Sequence, residues 1–321
     1  MAFWNDRHTR GLLYQAAALV GVAAVGAVLV SNTLDNLGRQ NIATGFGFLA
    51  REAAFGISES PIAYSPADTY ARALVVGLLN TLKVAIAGIV LATLIGLVVG
   101  LARLSSNALV ARLAAVYVEA IRNVPVLLQL FFWYAIVTQA FPAPRAALEP
   151  IAGVFLSNRG IAIPWPGAGV PTLVGFNFEG GAVLSPELSA LLIGLSIYTA
   201  AFIAETIRGG IQAVPKGQVE AARALGLSGY RVLRHVVLPL ALRAIVPPTT
   251  NQYLNLAKNS SLAVAIGYPD FVSVANTAIN QTGQAIEGVA LIMLAYLTMS
   301  LAISALMNWY NRRVALVGEG R

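Results

Sequence analysis

The chain has 321 residues, 57% of them hydrophobic and 11% charged, with a mean hydropathy of +0.72, too apolar for a water-soluble globular domain of this length. Two histidines and no cysteines exclude thiol nucleophiles, disulfides and cysteine-built zinc sites. A formal net charge of +7 fits a nucleic-acid binder or a membrane protein with basic loops, and the positions of the cations decide between them.

The first apolar run, Gly11 to Val30, follows Arg7 and Arg10 and is long enough to cross a hydrocarbon core of about 30 Å. It is too long for a signal peptide, and Val28-Leu29-Val30-Ser31 lacks a small-x-small cleavage site. Between Ser31 and Arg72, the residues Ile42, Phe46, Leu49, Ala53 and Ile57 recur at helical spacing. That spacing predicts a short amphipathic helix, lying at the outer interface or within a water-exposed loop. The second run, Leu74 to Ala102, carries Gly88, Ala92, Gly96 and Gly100 along one helical face, a smooth stripe for close approach by a helix of this chain or of a partner.

A third run is expected from Val124 to Phe141. The stretch 142–187 is rich in Gly and Pro, includes Ile163-Pro164-Trp165-Pro166-Gly167, and predicts an irregular outer excursion. The remaining runs are Leu188 to Thr206, Leu240 to Ile266 and Val289 to Tyr310, which makes six spans. Glu119 with Arg122, and Glu205 with Arg208, stand at i, i+3 and are expected as structural helix pairs.

With the N-terminus in the cytoplasm, fourteen Lys and Arg fall in inward segments, among them Arg7, Lys216 and Arg321, against five in outward ones. The positive-inside bias therefore puts both termini in the cytoplasm, and topology accounts for the basic balance without a nucleic-acid partner. The only lysines, Lys83, Lys216 and Lys258, do not complete a Gly-Lys-Ser/Thr sequence, so no P-loop is present and any ATP is bound by another chain.

The fifth run holds Pro247, Pro248, Thr249, Thr250, Asn251, Gln252, Asn255, Lys258, Asn259, Ser260 and Ser261, a polar load that lipid could not solvate. Asn251, Asn255, Lys258 and Asn259 share one helical face, as the wall of a hydrated path or as a polar seam between helices. Other polar groups at membrane depth are Asn80, Thr81, Glu119, Arg122, Gln129 and Glu205.

The inward segment before the fifth run carries the most specific pattern. Glu220 to Leu225 are strong helix formers, Gly226 permits a positive backbone dihedral, and Pro239 is expected to end the following segment as the chain re-enters the membrane. The reading is a helix, a sharp turn and a second helix with an alanine-smooth docking surface. Glu220-Ala221-Ala222, three residues, Gly226, nine residues, Val236, one residue and Leu238-Pro239 resembles the EAA loop of ABC importer permeases. Glu119 to Tyr134 and Ala204 to Ile211 are similar to segments of polar amino acid permeases, and the likeness runs from about Gly77 to Arg313. The additional first span and the insert resemble the large Q-type subunit of general L-amino acid or glutamate/glutamine importers.

That resemblance implies an all-α polytopic fold, the type I ABC importer transmembrane domain with an extra N-terminal span. Residues 1–70 would form that span and an outer amphipathic segment, and residues 71–315 the transmembrane domain with outer insert 142–187 and EAA loop 207–239. It implies no chemistry or cofactor on this chain, ATP and Mg on two partner ATPase subunits, a second homologous permease, a periplasmic substrate-binding protein and a multi-pass location in lipid of the bacterial inner membrane. Glu220, Ala221, Ala222, Gly226 and Pro239 are expected to couple to the ATPase. Asn80, Thr81, Glu119, Asn251, Asn255, Lys258 and Asn259 are expected along an L-amino acid path. An ion-coupled transporter or channel is the alternative, and it would have no use for such a docking loop.

Overall fold

The computed structural model describes residues 7–39 and 44–314; Ile42 and Arg321 lie outside them. Helix α1 (Arg7–Arg39) contains an apolar stretch, Arg10–Thr33, none of which is buried against the rest of the chain. Helix α2 (Tyr70–Ala102) starts at Thr69, whose hydroxyl accepts the Arg72 N–H at 3.3 Å. It packs along α5 (Pro186–Gln212), which Ser185 caps and Pro186 opens. Helix α5 in turn packs on α8 (Leu238–Asn259), so the three share one apolar core containing Val84, Ala92, Leu191, Leu195, Ile203 and Leu256.

The small-residue stripe is the reason α2 and α5 come so close. A Cβ on Gly96 would stand 2.7 Å from Cγ2 of Ile203, and one on Gly100 would stand 3.0 Å from the Ala204 carbonyl oxygen. The stripe therefore serves packing within this chain.

The third run is not one span. Helix α3 (Ala108–Asn123) and helix α4 (Val126–Ala135), which a π turn prolongs to Ala140, meet at a bend of 104°. The cause is Pro125: it has no N–H to donate and forces Val124 into extended backbone (φ −101, ψ 127). Gln129 reaches back across the break and donates to the Ile121 and Val124 carbonyls at 2.9 and 3.0 Å. From Val126 to Ala140 the helix rises only about 22 Å, so crossing a bilayer needs α3 as well. Among the described residues, five single helices are long and apolar enough to span, and the bent pair makes a sixth if it crosses as one.

The amphipathic helix expected between Ser31 and Arg72 is absent among the described residues. One 3₁₀ turn, Phe46–Ala50, is followed by an extended strap whose backbone pairs with itself, Ala53 N–H to Asp68 oxygen at 2.8 Å and Ala54 N–H to Pro66 oxygen at 2.9 Å. Phe48 and Ala53 are buried against Tyr70, Leu74 and α9 (Phe271–Thr282), so the strap is a packed part of the fold and not a helix floating at the interface. Glu59 fastens it: the carboxylate meets Lys83 Nζ at 2.5 Å and the Ser185 hydroxyl at 2.8 Å, and its backbone oxygen accepts from Asn80 at 2.8 Å.

The 142–187 excursion is ordered rather than irregular. Strands β1 (Leu148–Ile151), β2 (Val154–Ser157), β3 (Gly160–Ile163) and β6 (Ala182–Leu184) form an antiparallel sheet in the order β1-β2-β3-β6. A separate hairpin joins β4 (Thr172–Val174) to β5 (Asn177–Glu179). Two-residue turns, Asn158-Arg159 between the paired Ser157 and Gly160 and Gly175-Phe176 between Val174 and Asn177, are what close these strands.

Between α5 and α8 lie the short helices α6 (Lys216–Ala224) and α7 (Gly229–Val232). Pro239 does not end a segment: α7 runs through a π turn, Leu233–Val237, straight into α8, giving one helical stretch from Gly229 to Ile266. Pro239 lies in the first turn of α8, and the wider turn just before it, with the Leu238 N–H on the Leu233 oxygen, lets the helix pass the missing donor. Helix α10 (Ala285–Val314) closes the chain.

Candidate functional site

Among the described residues, two polar surfaces lie along the α8 stretch, one at its start and one farther on. At its start, α6 ends in a Schellman turn: the Leu227 N–H donates to the Ala222 oxygen at 3.2 Å and the Gly226 N–H to the Arg223 oxygen at 2.9 Å. Gly226 has φ +77, a conformation that a side chain would strain by about 1 to 2 kcal/mol. Ala222 is buried and faces inward, which anchors α6, while Glu220, Ala221, Arg223 and Ala224 are exposed. Leu225, at the turn itself, is 82% exposed, an apolar side chain held out on a rigid frame. Behind the turn, Glu205 accepts from both Arg208 and Arg103, joining the end of α5 to the end of α2. The expected Glu205–Arg208 pair is present, with Arg103 as a third member that lies 102 residues away in sequence and so gave no local signal.

Farther along α8, hydrogen bonding sorts the polar load into two groups. Thr249, Thr250, Ser260 and Ser261 donate to carbonyls of their own helix, and Tyr253 meets Thr93 on α2 at 2.8 Å. These groups are internally satisfied and form the seam. Gln252, Asn255 and Asn259 instead line a cleft of about 270 Å³ whose other wall is Tyr198, Thr199 and Phe202 of α5. The Arg122 guanidinium stands 5.0 Å over the Phe202 ring, and Tyr198 packs against the same ring at 5.0 Å.

The structure divides the remaining path candidates. Asn255 and Asn259 meet in the cleft, whereas Lys258 points to a groove of about 480 Å³ shared with Ile292, Met293 and Tyr296, and Asn251 is exposed and lines neither. Asn80 and Thr81 are fully buried: Asn80 donates to the Glu59 and Pro269 oxygens, and Thr81 donates to Gly77 and accepts the Phe271 N–H at 2.9 Å. Both therefore fasten the strap and the start of α9 to α2. Glu119 is exposed on α3 and forms no ion pair with Arg122, whose charge is turned to Phe202 instead, so the expected helix pair is not made. Tyr198, Thr199, Phe202 and Gln252 were absent from the expected path. The i, i+4 aromatic spacing of Tyr198 and Phe202 on a span was the available signal. No group of three or more His, Asp or Glu that could hold a metal occurs among the described residues.

Residues 88–316 match the family described as the binding-protein-dependent transport system inner membrane component. The chain is 47% identical to the putative amino-acid ABC transporter permease protein YhdX of Escherichia coli K12, over 96% of this chain and 95% of that protein. It is 43% identical to the general L-amino acid transport system permease protein AapQ of Rhizobium johnstonii, over 97% of this chain and 94% of that one. Among solved structures, an amino acid ABC transporter crystallised with histidines superposes with a TM-score of 0.57 at 28% identity, covering 76% of this chain and 95% of that one.

Proposed function

This chain belongs to the binding-protein-dependent transport system inner membrane component family and is a permease subunit of an amino-acid ABC importer, and we propose that it couples an L-amino acid path to ATP hydrolysis on a separate chain. In this reading, two cytosolic ATPase subunits carry ATP and Mg, a second homologous permease completes the pathway, and a periplasmic binding protein delivers substrate. The protein is a multi-pass membrane protein, and we place it in the bacterial inner membrane with both termini in the cytoplasm.

The observation that carries the coupling role is the rigid, exposed turn at Leu225-Gly226, set on α6 and continuous through α7 with the helix that forms the cleft. Helices α7 and α8 run as one helical stretch from Gly229 past Asn255, so a displacement of α7 at the docked turn would be carried to the cleft. Glu220, Ala221, Ala222 and Gly226 form the docking element, and Pro239 is a helix-start residue within the lever. The substrate meets amide donors and acceptors from Gln252, Asn255 and Asn259, a neutral wall from which a zwitterion can leave as well as bind.

Gly226→Val tests this reading. The variant should assemble with normal membrane insertion, because a Cβ at Gly226 meets no atom within 4 Å and the strain is confined to the turn. ATP-driven amino acid uptake in proteoliposomes should fall at least tenfold, together with substrate-stimulated ATPase activity. Wild-type uptake by an assembled Gly226→Val complex would defeat the coupling role.

A further inference from the structure

A cavity of about 570 Å³ opens at the other end of α2 and α5, between the strap, the sheet of the insert and the first turn of α5. We propose that it is a second amino acid site, separate from the cleft on α8, which takes a neutral α-amino acid as its zwitterion between Arg159 and Glu187. The charges in the cavity select that ligand. Four ionisable side chains line it: Glu59, Lys83, Arg159 and Glu187. Glu59 and Lys83 neutralise each other at 2.5 Å, and the second Glu59 oxygen accepts from Ser185 at 2.8 Å. Arg159 has no ion pair among the described residues, and Glu187 accepts one long bond there, from the Tyr134 hydroxyl at 3.3 Å.

What remains is one cation and one anion on different walls, Arg159 on the β2–β3 turn and Glu187 in the first turn of α5. A zwitterion offers one charge to each. Arg159 is exposed and Glu187 half-buried, and an anionic or cationic ligand would attract one group and repel the other. The Arg159 guanidinium is a planar fork matched to a carboxylate, and Glu187 can accept from an ammonium. Ala162, Phe178 and Val183 supply an apolar wall for an uncharged side chain, with Phe178 held by stacking on Phe155 at 4.6 Å.

The site is rigidly framed. Ser157 Oγ accepts the Arg159 N–H at 3.3 Å, and Gly160 at φ +108 lies so close to β6 that a Cβ would stand 1.9 Å from the Leu184 oxygen. The turn that carries Arg159 is thereby locked against the strand leading into α5. The cavity volume falls within the usual range for small-molecule sites, about 300 to 1,000 Å³. The ligand class is drawn from the cavity itself, and only its use in transport rests on the function proposed above.

The experiment is calorimetric titration of the assembled complex in nanodiscs, without nucleotide or binding protein, using L-glutamine and L-leucine as probes. Besides any binding in the α8 cleft, a saturable component is expected that is at least tenfold weaker in Arg159→Gln and in Glu187→Gln and within threefold of wild type in Arg159→Lys. Unchanged melting temperatures would confirm that the variants fold. Absence of saturable binding to the wild-type complex overturns the proposal, as does unaltered affinity in both neutral variants or loss in Asn255→Ala alone. It is equally overturned if Arg159→Gln keeps amino acid binding but lowers only binding-protein-stimulated uptake, because the cavity would then be a protein contact. A complex that binds glutamine through Arg159 and Glu187 yet imports no amino acid would support this site while defeating the transport reading.

Discussion

Asp270 is a single carboxylate on which burial and helix capping act in opposite directions. It is 1% exposed, accepts the Ser273 N–H at 2.8 Å as the N-cap of α9, and receives the Tyr296 hydroxyl at 3.3 Å. Burial wins and pushes the carboxyl up from an ordinary 3.8 to about 6, with the capping bonds pulling the other way. Between those two values the folded protein holds a proton that the unfolded chain has released, so stability falls as pH rises from about 4 to above 6. The loss is of order 2 to 3 kcal/mol. An asparagine at this position would cap equally well without a charge to bury. Asp270→Asn is therefore expected to melt higher than wild type at pH 7, with the gap closing towards pH 4, in thermal unfolding of the purified complex. Parallel pH profiles for the two proteins would refute the account. Nothing near Tyr268-Pro269-Asp270-Phe271 signals burial in the sequence, because Tyr296, which reaches the carboxylate, comes from α10.

At the scale of elements, α8 shows how one helix carries both a seam and a lining. Its threonine and serine hydroxyls are bonded back to the helix, whereas Asn255 is exposed to the cleft opposite Tyr198 and Phe202. Asn255→Ala should thus leave the melting temperature of the complex within about a degree, since no packed group is removed, and should weaken amino acid affinity roughly two- to tenfold through one lost hydrogen bond. Transport kinetics over several amino acids would read this, and a drop in complex stability at unaltered kinetics would assign Asn255 to the seam. The polar face was legible because helical spacing is local, and so was the Gly96–Gly100 stripe, which needs only small residues four apart. Lys258 was misplaced because a shared face about 100° wide can border two different cavities. The strap was illegible for a longer-range reason: Phe48 and Ala53 are fixed by α9, more than two hundred residues away, and the helical spacing from Phe46 to Ile57 is incidental to that packing. Pro125 lies inside the run expected from Val124, and the bend it makes joins that run to α3, which the run does not include.

For the whole molecule, the α6 turn and the insert lie at opposite ends of the spanning helices, and the order of elements provides for that. Helix α5 leaves the insert at Pro186 and reaches α6 after Gln212, and the stretch from Gly229 to Ile266 returns towards the insert end, where the strap and α9 meet α2. The excess of arginines on the α6 side supports the proposal that this end is cytoplasmic. Because the sequence contains no cysteine, single introduced thiols can report the orientation directly. Position matters, however: Ser157 lies in the insert but is 2% exposed, so a thiol there would be shielded whichever side it faced. Ala152, in the exposed β1–β2 turn, and Ser228, in the exposed α6–α7 connection, are the informative sites. In intact spheroplasts an impermeant maleimide is expected to label Ala152→Cys at once and Ser228→Cys only after the membrane is permeabilised. Labelling of Ser228→Cys from outside would invert the topology and place the Leu225 turn beyond the reach of any cytosolic ATPase.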